Sequence, residues 1–474
     1  MLKDTQLFEN LDQVLAQKDQ ITFNLLNIIK KTPLDNLSED SRCVFSRKQL
    51  IGWMLIMKFL GIASIHQSVI GQWKAFIRVG KDVLYKIKNS EWINWRSNLL
   101  NQSWQCMKGI EMSQAKDHDV SGVSCFIVDD SDIPKRGKCM EMIGKIFSHV
   151  TGQYHLGYKS LNLAYWSGKH LLHLDFSYHV EMGKNADQGM KKKELKARYS
   201  KDRKENSPGY FRYTELFKKK TLIVKSMIRR AIRKGFQAQY LLADSWFFNN
   251  DLASFVLDNK LHLISRPKFN NWKYDYAGKQ YTIGALIKKL RYSRNKKWNR
   301  HLRLHFVSTM VQFNGIDYQL IYFKEKRRGS KWQALITTDK NISAQRAFKI
   351  YQTRWAIESS YKELKQTLKY GKCQSRDFDA HIADATQCLM CYNTLSHIKA
   401  INHYQSIGAL FKECSQEWLQ PTLIQRFWKM FYQAIQDLAE VIQKPCHQLI
   451  DLLINSSDFV RVIHNIHCEL SAET

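Results

Sequence analysis

The sequence predicts a mixed α/β core flanked by helical regions. Short apolar and aromatic runs bounded by Gly122, Gly157 and Gly168 are typical of β-strands. Apolar residues recur at helical spacing in residues 1–115 and again after residue 376. The chain has 474 residues, 44% of them hydrophobic, which is enough for two to four domains with sizeable cores and argues against disorder.

The net charge indicates a polyanionic partner. It is +30 at pH 7, from 73 Lys and Arg against 43 Asp and Glu. A field of this size attracts polyanions, and nucleic acid is the commonest of these inside cells. A membrane surface, or solubility alone, would be the simpler explanations of the same charge.

The cysteines and the apolar stretches indicate in which cellular compartment the protein is expected. The ten cysteines are scattered and show no framework of the kind found in small secreted proteins. The first residues lack the basic and apolar regions of a signal peptide. The most apolar stretch, 51–65, is interrupted by Lys58 and is too short to span a bilayer. We therefore expect a reduced, cytoplasmic protein that does not enter a membrane.

Strands and helices alternate in the central part of the chain. Runs at 123–130, 160–166 and 170–179 are predicted to be three successive strands. Residues 183–209 are polar and charged, which predicts an exposed, mobile loop. A helix at about 210–234 and a strand at about 239–244 should follow.

The helix predicted at 210–234 is unusually basic. A run of charge is usually a solvated face, but eight cations with almost no acids to balance them would also suit a surface that faces DNA. These cations are Lys218, Lys219, Lys220, Lys225, Arg229, Arg230, Arg233 and Lys234.

Residues 262–340 are predicted to be rich in β-structure. Runs at 306–313 and 316–323 flank Asn314-Gly315, a dipeptide favoured in tight hairpin turns. Ser343 is then expected to cap a helix that continues to about residue 368.

Four regions follow from these elements. The first is a helical N-terminal domain, for which we expect DNA binding, and the last is a helical C-terminal region, for which we expect DNA binding or dimerisation. Their bounds are 1–115 for the N-terminal domain, 116–261 with 341–375 for the core, 262–340 for the insertion, and 376–474 for the C-terminal region.

Three carboxylates are candidates for a shared site. Asp130 ends the apolar run that begins at Phe126, Asp244 ends another apolar run, and Glu358 lies in the long helical stretch. If the fold brings them together, such carboxylates can hold two divalent metals, which clamp the attacking and leaving oxygens of a phosphodiester. Asp129 is the alternative to Asp130, because strand alternation puts these neighbours on opposite faces.

One helix face carries further polar residues. At about 100° per residue, Tyr351, Arg354, Glu358 and Lys365 lie on one side of a single helix. Glu363 is rotated away from that side by about 140° and should not share the site. The simpler interpretation is an ordinary helix face with an ion pair between Arg354 and Glu358.

Three motifs occur in the order found in one enzyme family. The spacing Tyr-x2-Arg-x3-Glu-x6-Lys at 351–365 resembles the signature of DDE insertion-sequence transposases of the IS-four type, with all four positions matching. Asp-Asp-Ser at 129–131 with Pro134-Lys135 resembles the first acidic motif, where serine replaces the usual threonine. Asp-Ser-Trp-Phe at 244–247 resembles the second. The resemblance runs from about residue 120 to 395.

The resemblance implies an RNase H-like core interrupted by a β-rich insertion. It implies two Mg²⁺ ions per site, for which Mn²⁺ should substitute. The implied catalytic residues and metal ligands are Asp130, Asp244 and Glu358. The residues implied to contact DNA phosphates near the cleaved end are Tyr351, Arg354 and Lys365.

The resemblance also implies the substrate and the assembly. The substrate would be double-stranded DNA, at the ends of an insertion sequence and at its target. Cleavage and strand transfer would pass through a hairpin intermediate in a homodimer that acts at the bacterial nucleoid. The sequence contains no Gly-x4-Gly-Lys loop, so no nucleotide cofactor is expected.

Two tryptophans of the insertion are candidates for stacking on an unpaired base. Trp332 is the first candidate, and Trp298, among several cations, is the second. Large aromatics in β-rich segments usually belong to a core, so burial is the simpler expectation for both.

Other sites and functions are less well supported by the sequence. Cys388-x2-Cys391 has no second close pair of ligands, so buried thiols are expected there rather than zinc. Two alternative functions stay open, a metal-dependent RNase H-like nuclease and a transposase-derived DNA-binding protein without catalysis.

Overall fold

The computed structural model describes most of the central part of the chain. Described are residues 28, 29, 31, 32, 34, 436 and 438–454, and residues 46–412 except 60, 63, 70–78, 115–121, 149–150, 184–186, 293–295, 327–328 and 403–405. Much of the predicted N-terminal domain lies outside these ranges. The chain divides into two compact units, 1–414 and 415–474. The second unit contains the helix Cys446–Ile454.

The first unit combines helices with one large sheet. Its helices are α1 (Arg47–Phe59), α2 (Ile65–Ser68), α3 (Lys81–Lys88), α4 (Trp95–Gln114), α5 (Lys192–Lys196), α6 (Pro208–Glu215), α7 (Lys220–Lys234), α8 (Asn250–Asp258), α9 (Ile283–Leu290), α10 (Ala344–Gln352), α11 (Trp355–Gln366) and α12 (Phe378–Asn402). Its strands are β1 (Cys125–Pro134), β2 (Gly144–Ser148), β3 (Gln153–Trp166), β4 (Leu171–His179), β5 (Tyr240–Ala243), β6 (His262–Ser265), β7 (Tyr274–Tyr276), β8 (Lys279–Tyr281), β9 (Lys297–Asn299), β10 (Leu304–Phe313), β11 (Ile316–Glu325) and β12 (Gln333–Thr337).

The sheet confirms the mixed α/β prediction. Its strand order is β2-β3-β1-β5-β6-β12-β11-β10-β7-β8, with β4 beside β3 and β9 beside β10. β1, β3 and β4 pair antiparallel, as short connections allow, whereas β5 and β6 run parallel to β1. None of the described helices is long and apolar enough to cross a membrane.

Several predicted boundaries differ from the structure. β1 does not end at Asp130: it continues to Pro134, because β3 pairs with it along its whole length while β5 accompanies it only as far as Val128. The strand β2 was not predicted. The helix predicted at 210–234 is two helices, α6 and α7, separated at residues 216–219.

The two faces of β1 are covered by different helices. Phe126 and Val128 point into the main core, where they join apolar residues of α4, α7 and α8. On the opposite face α11 lies across the strand, and its Tyr361 hydroxyl donates to the Asp129 carbonyl at 3.1 Å. Alternating residues of β1 therefore face different helices.

The segment 183–209 is not the fully exposed loop that its composition predicts. Residues 192–196 form α5, and the Arg203 side chain is only 2% exposed. Its guanidinium makes two bonds to the Glu141 carboxylate, at 2.6 and 2.7 Å, and a third to Asp379. A buried carboxylate pair thus holds this polar segment against the core.

The predicted hairpin is confirmed. β10 and β11 pair from Leu304–Glu325 to Phe313–Ile316, and the turn residues Asn314 and Gly315 both have positive φ, 49° and 78°. The sheet of this region is continuous with the core, since β12 pairs with β6 and β6 pairs with β5.

A buried cluster of charges ties three helices to β4. Asp175, 3% exposed, accepts from Arg96 of α4 at 3.1 Å, from Arg230 of α7 at 2.6 Å and lies 3.5 Å from Arg212 of α6. Burial alone would raise the pKa of Asp175, but Arg96, Arg230 and Arg212 outweigh it and hold the pKa below its usual range.

We predict that Asp175→Ala destabilises the protein by about 3–5 kcal/mol, because it leaves buried guanidinium groups without a partner. Urea unfolding measures the loss. Because the pKa is lowered on folding, this stability is present above the usual carboxyl pKa and is lost as pH falls through the folded value. The control is Asp251→Ala, whose side chain is 70% exposed in its pair with Lys225 and should cost less than about 1 kcal/mol. Equal losses in the two variants would contradict the prediction.

Candidate active site

The pairing of β1 with β5 aligns two aspartates. The parallel register runs from Cys125–Tyr240 to Val128–Ala243. The next residues along the two strands are Asp129 and Asp244. Residues in register on parallel strands point to the same face of a sheet, so the register brings Asp244, directly after β5, to the same level as Asp129 of β1.

Asp129 and Asp130 face different helices. The Asp129 carboxylate lies 3.6 Å from the Arg354 guanidinium and on the α11 side of the sheet. The Asp130 carboxylate lies 2.5 Å from the Lys220 ammonium, on the α7 side. The prediction that only one of them shares a face with Glu358 agrees with this geometry, but the residue on that face is Asp129 and not the preferred Asp130.

The long helix expected around Glu358 is broken. α10 ends at Gln352 and α11 begins at Trp355, with Arg354 at the junction. The expected contact survives the break, because the Arg354 guanidinium lies 2.5 Å from the Glu358 carboxylate. Arg354 thus stands between Asp129 and Glu358 and contacts both.

The other two residues of the motif point towards the strands. The Tyr351 hydroxyl donates to the Ala243 carbonyl at 3.4 Å, and Lys365 donates to the Ser131 hydroxyl at 2.7 Å. Tyr351 is only 4% exposed, so the DNA contact predicted for it is not accessible here. Its packing instead fixes α10 against the end of β5. Lys365 is half-buried and its pKa is lowered by burial, which Asp132 partly offsets.

Glu363 lies on another side of α11, as expected. Burial raises its pKa, and the Lys399 charge and a hydrogen bond with Tyr392, both of α12, oppose the shift. It therefore packs towards α12 and away from Glu358.

The charges around Asp129 are unusual for a carboxylate. Burial is the largest cause that raises the pKa of Asp129 to about 7; Asp130 and Glu358 add to it, and Arg354 opposes it. Groups perturbed by both burial and a specific charge partner concentrate at functional sites. Arg354 is 8% exposed, and its buried Nε has no hydrogen-bond partner among the described residues.

The carboxylate oxygens of Asp129, Asp244 and Glu358 are of the chemical type that binds a hard divalent cation. Carboxylate oxygens are the ligands that Mg²⁺ and Mn²⁺ prefer. Within the described ranges, however, no three Asp, Glu, His or Cys side chains converge closely enough to hold a metal ion. The positive charge between Asp129 and Glu358 is instead supplied by Arg354. A metal would therefore have to share or displace this guanidinium.

Comparisons with known proteins agree with the motifs. A family model described as a transposase DDE domain matches residues 219–394. A second, described as a DDE superfamily endonuclease, matches residues 111–272. Residues 111–394 are thus similar to domains of the DDE superfamily. The chain is a DNA-cleaving and strand-transferring enzyme, and the enzymes of this superfamily generally use divalent metal ions.

The matched DDE regions include all the candidate carboxylates. Asp129 and Asp130 lie in the endonuclease match, Glu358 in the transposase match, and Asp244 in both. No curated protein matches the chain. Among solved structures, a cryo-EM structure of the piggyBac transposase synaptic complex with hairpin DNA is similar, at 12% identity and a TM-score of 0.39, over 86% of this chain and 80% of that one.

The two candidate tryptophans are associated with one basic cavity: Trp332 lines it, and Trp298 contacts two of its lining residues, His305 and Lys326. The cavity has a volume of about 400 Å³ and is lined by Arg291, Tyr292, Lys296, His305, Lys324, Glu325, Lys326 and Trp332. Trp332 is half-buried and packs against the core. Trp298 is 42% exposed. Its ring centroid lies 4.6 Å from that of His305, at a tilt of 52°, and 5.9 Å from the Lys326 ammonium.

The eight cations predicted at 218–234 divide into two groups. Lys220 pairs with Asp130, Lys225 with Asp251 and Arg230 with Asp175, while Lys234 donates to Asn101. The other four, Lys218, Lys219, Arg229 and Arg233, are exposed.

Two features of the site differ from, or add to, what was expected from the sequence: Asp129, the less favoured of the two aspartates, shares the face of Glu358, and Lys220 pairs with Asp130. The sequence contains a signal for the first of these. In Phe126–Val128 and in Leu241–Ala243, three buried apolar residues directly precede the first aspartate. This equal spacing marks Asp129 and not Asp130 as the counterpart of Asp244. Nothing in the sequence indicates that Lys220 pairs with Asp130.

We predict that Asp129→Asn stabilises the metal-free protein at pH 8, by roughly 1–3 kcal/mol. The raised pKa means that ionising Asp129 costs stability in the folded state. This cost is absent below the usual carboxyl pKa, grows as pH rises from there to about 7, and stays at its full size above about 7. Urea unfolding in EDTA at pH 5 and pH 8 tests it, since the gain should be larger at pH 8. Asp130→Asn is the control and should give no gain, because it removes the ion pair with Lys220. A variant no more stable than wild type at pH 8 would refute the prediction.

Proposed function

We propose that this DDE enzyme is an insertion-sequence transposase of the IS-four type. It would cleave DNA at the terminal inverted repeats of its element and join the freed end to target DNA. The observation that carries the proposal is the register that aligns Asp129 with Asp244 on the face where α11 presents Glu358. The order β4-β3-β1-β5-β6 supports the RNase H-like core that the motifs imply.

We propose that Asp129, Asp244 and Glu358 are the catalytic carboxylates and would hold two Mg²⁺ ions, with Mn²⁺ as a substitute. Bound ions would activate water or a DNA 3′-hydroxyl for in-line attack and stabilise the departing oxygen. Asp130, which the motif alone favours, holds Lys220 in this proposal.

The basic residues of the motif would bind and orient the DNA. Arg354 is charged over the whole working range of pH and presents a planar donor set, so it can grip a phosphate beside the carboxylates. Lys365 of α11 donates to Ser131 of β1, and its ammonium can meet a neighbouring phosphate there. Tyr351 would position α10 rather than touch DNA.

The proposal includes a double-stranded DNA substrate and a homodimeric assembly. A net charge of +30 favours a double-stranded DNA partner at both transposon ends and target. The enzyme would act as a homodimer on paired ends at the bacterial nucleoid, through a hairpin intermediate, and would need no nucleotide cofactor. The cavity beside Trp332 and Trp298 would receive the base that such a sharply bent end exposes.

The catalytic assignment predicts the effect of single substitutions. Asp129→Asn, Asp244→Asn and Glu358→Gln should each lower cleavage by more than about a hundredfold, because the chemistry depends on the group as a unit. Binding of the same DNA should change little. The measurement is cleavage of a labelled duplex that carries the inverted repeat flanking the reading frame, with Mg²⁺.

Asp130→Asn is the matched comparison and should retain measurable cleavage. If it is inactive while Asp129→Asn is active, the two aspartates exchange roles.

An assay in which the cleaved end joins a plasmid distinguishes a transposase from the two alternative functions. Cutting without joining would favour a nuclease, and binding without cutting would favour a transposase-derived DNA-binding protein.

The insertion cavity predicts a step-specific defect. Trp332→Ala should slow hairpin formation by roughly tenfold to a hundredfold, because it removes the stacking energy of one base. It should slow the first nick less. Nicked and hairpin products are followed separately on a labelled transposon end. Trp298→Ala is the rival variant, and a defect confined to it would transfer the role to Trp298. Equal loss of both steps in Trp332→Ala would mean that the side chain is structural.

A further inference from the structure

Trp246 is an exposed side chain on a turn that is otherwise anchored. It is 49% exposed, whereas the two residues that follow it, Phe247 and Phe248, are 2% and 0% exposed. The Phe247 amide donates to the Asp244 carbonyl at 3.1 Å, and the Phe247 ring meets the Trp246 ring edge to face at 4.9 Å. Buried neighbours thus hold a large aromatic ring at the surface in a fixed position.

A cation accompanies this ring. The Lys220 ammonium lies 4.9 Å from the centroid of Trp246, and the same ammonium contacts Asp130 at 2.5 Å. Lys218 and Lys219, just before it, are exposed. An aromatic ring flanked by ammonium groups is the combination that binds an unstacked nucleotide, since the ring takes the base and the cations take the phosphates.

The ring lies close to one of the proposed catalytic carboxylates. Trp246 is two residues from Asp244 on the turn that follows β5, whereas Lys220 lies on the α7 side of the sheet with Asp130. A base held on Trp246 would therefore lie near Asp244. This place is on the core sheet, at the end of β5, and it is separate from the cavity that Trp332 lines.

We propose that Trp246 stacks on an unpaired DNA base adjacent to the cleaved phosphodiester, while Lys220 contacts the flanking phosphate. The inference rests on the proposed function, because it places the cleaved bond beside Asp244. A stacking site at this position would hold the strand after it separates from its complement and would fix the end for the next attack.

The test uses two probes without divalent metal. One is a 20-nucleotide oligothymidylate and the other is an abasic phosphodiester chain of the same length, and fluorescence anisotropy with the full-length protein measures both affinities. Trp246→Ala should weaken binding of the oligothymidylate by about tenfold or more and leave the abasic chain unchanged, since only the former can stack. Trp246→Phe should recover part of the loss. Lys220→Gln should weaken both probes, because it removes a phosphate contact.

Tyr154→Ala is the control, since Tyr154 is an exposed aromatic side chain, 64% exposed, on the part of β3 that pairs with β2. It should change neither affinity. A single 5-iodouracil in the oligothymidylate adds a positional readout, because its photoproduct should be recovered on the peptide that contains Trp246. Equal weakening of both probes in Trp246→Ala, no weakening of either, or a photoproduct only on other peptides would overturn the proposal. Recovery of Trp246 in a protein complex in place of the DNA photoproduct would assign the ring to a protein partner.

Failure of this inference and failure of the proposed function are distinguishable. The binding probes need neither metal nor an inverted repeat, whereas cleavage needs both. A protein that shows the Trp246 effect but joins no DNA ends would retain the stacking site and lose the transposase assignment. A protein that cleaves and joins normally with Trp246→Ala, and shows no probe effect, would lose the stacking site alone.

Discussion

The parallel pairing of β1 with β5 is the constraint on which the site depends. It sets Val128 opposite Ala243, so that the next residues of the two strands, Asp129 and Asp244, lie abreast on one face. A slip of one residue would turn Asp130 to that face and send Asp129 towards α7. Register is strongly specified here because Phe126 and Val128 are fully buried on the opposite face. The packing of the core thus chooses which carboxylate meets Glu358.

Arg354 makes this arrangement possible in the folded chain. Burial is the main cause that raises the pKa of Asp129, and the neighbouring carboxylates of Asp130 and Glu358 raise it further. A guanidinium that contacts both Asp129 and Glu358 offsets part of the repulsion between these carboxylates. The break between α10 and α11 places Arg354 at the junction, where its side chain can reach β1 while Glu358 stays within one helical turn of it. Arg354 therefore neutralises part of the negative charge of the site, but the pKa of Asp129 stays raised, so ionising this carboxyl still costs free energy in the folded protein.

The net charge of the protein is distributed less simply than its total suggests. Three cations of α7 pair with Asp130, Asp175 and Asp251. A cation paired with an acid contributes little field at a distance. The cavity of the insertion is a second basic region, and its lining includes Arg291, Lys296, Lys324 and Lys326 together with Trp332. Part of the net charge is therefore neutralised by acids within the fold.

The sequence by itself determined the elements and the chemistry. Apolar runs predicted the strands of the core, Asn314-Gly315 predicted the hairpin, and the spacing from Tyr351 to Lys365 predicted the enzyme class and the contact between Arg354 and Glu358. These features depend on local pattern, and local pattern is written in consecutive residues. Only the tertiary structure placed Asp129 and Asp130 on different faces, broke the predicted helix at Arg354, buried Tyr351, and paired Lys220 and Arg230 with buried or half-buried aspartates. These features depend on partners that are distant in the chain, such as Arg354 for Asp129 and Ala243 for Tyr351, and the spacing of residues within one segment does not identify such partners.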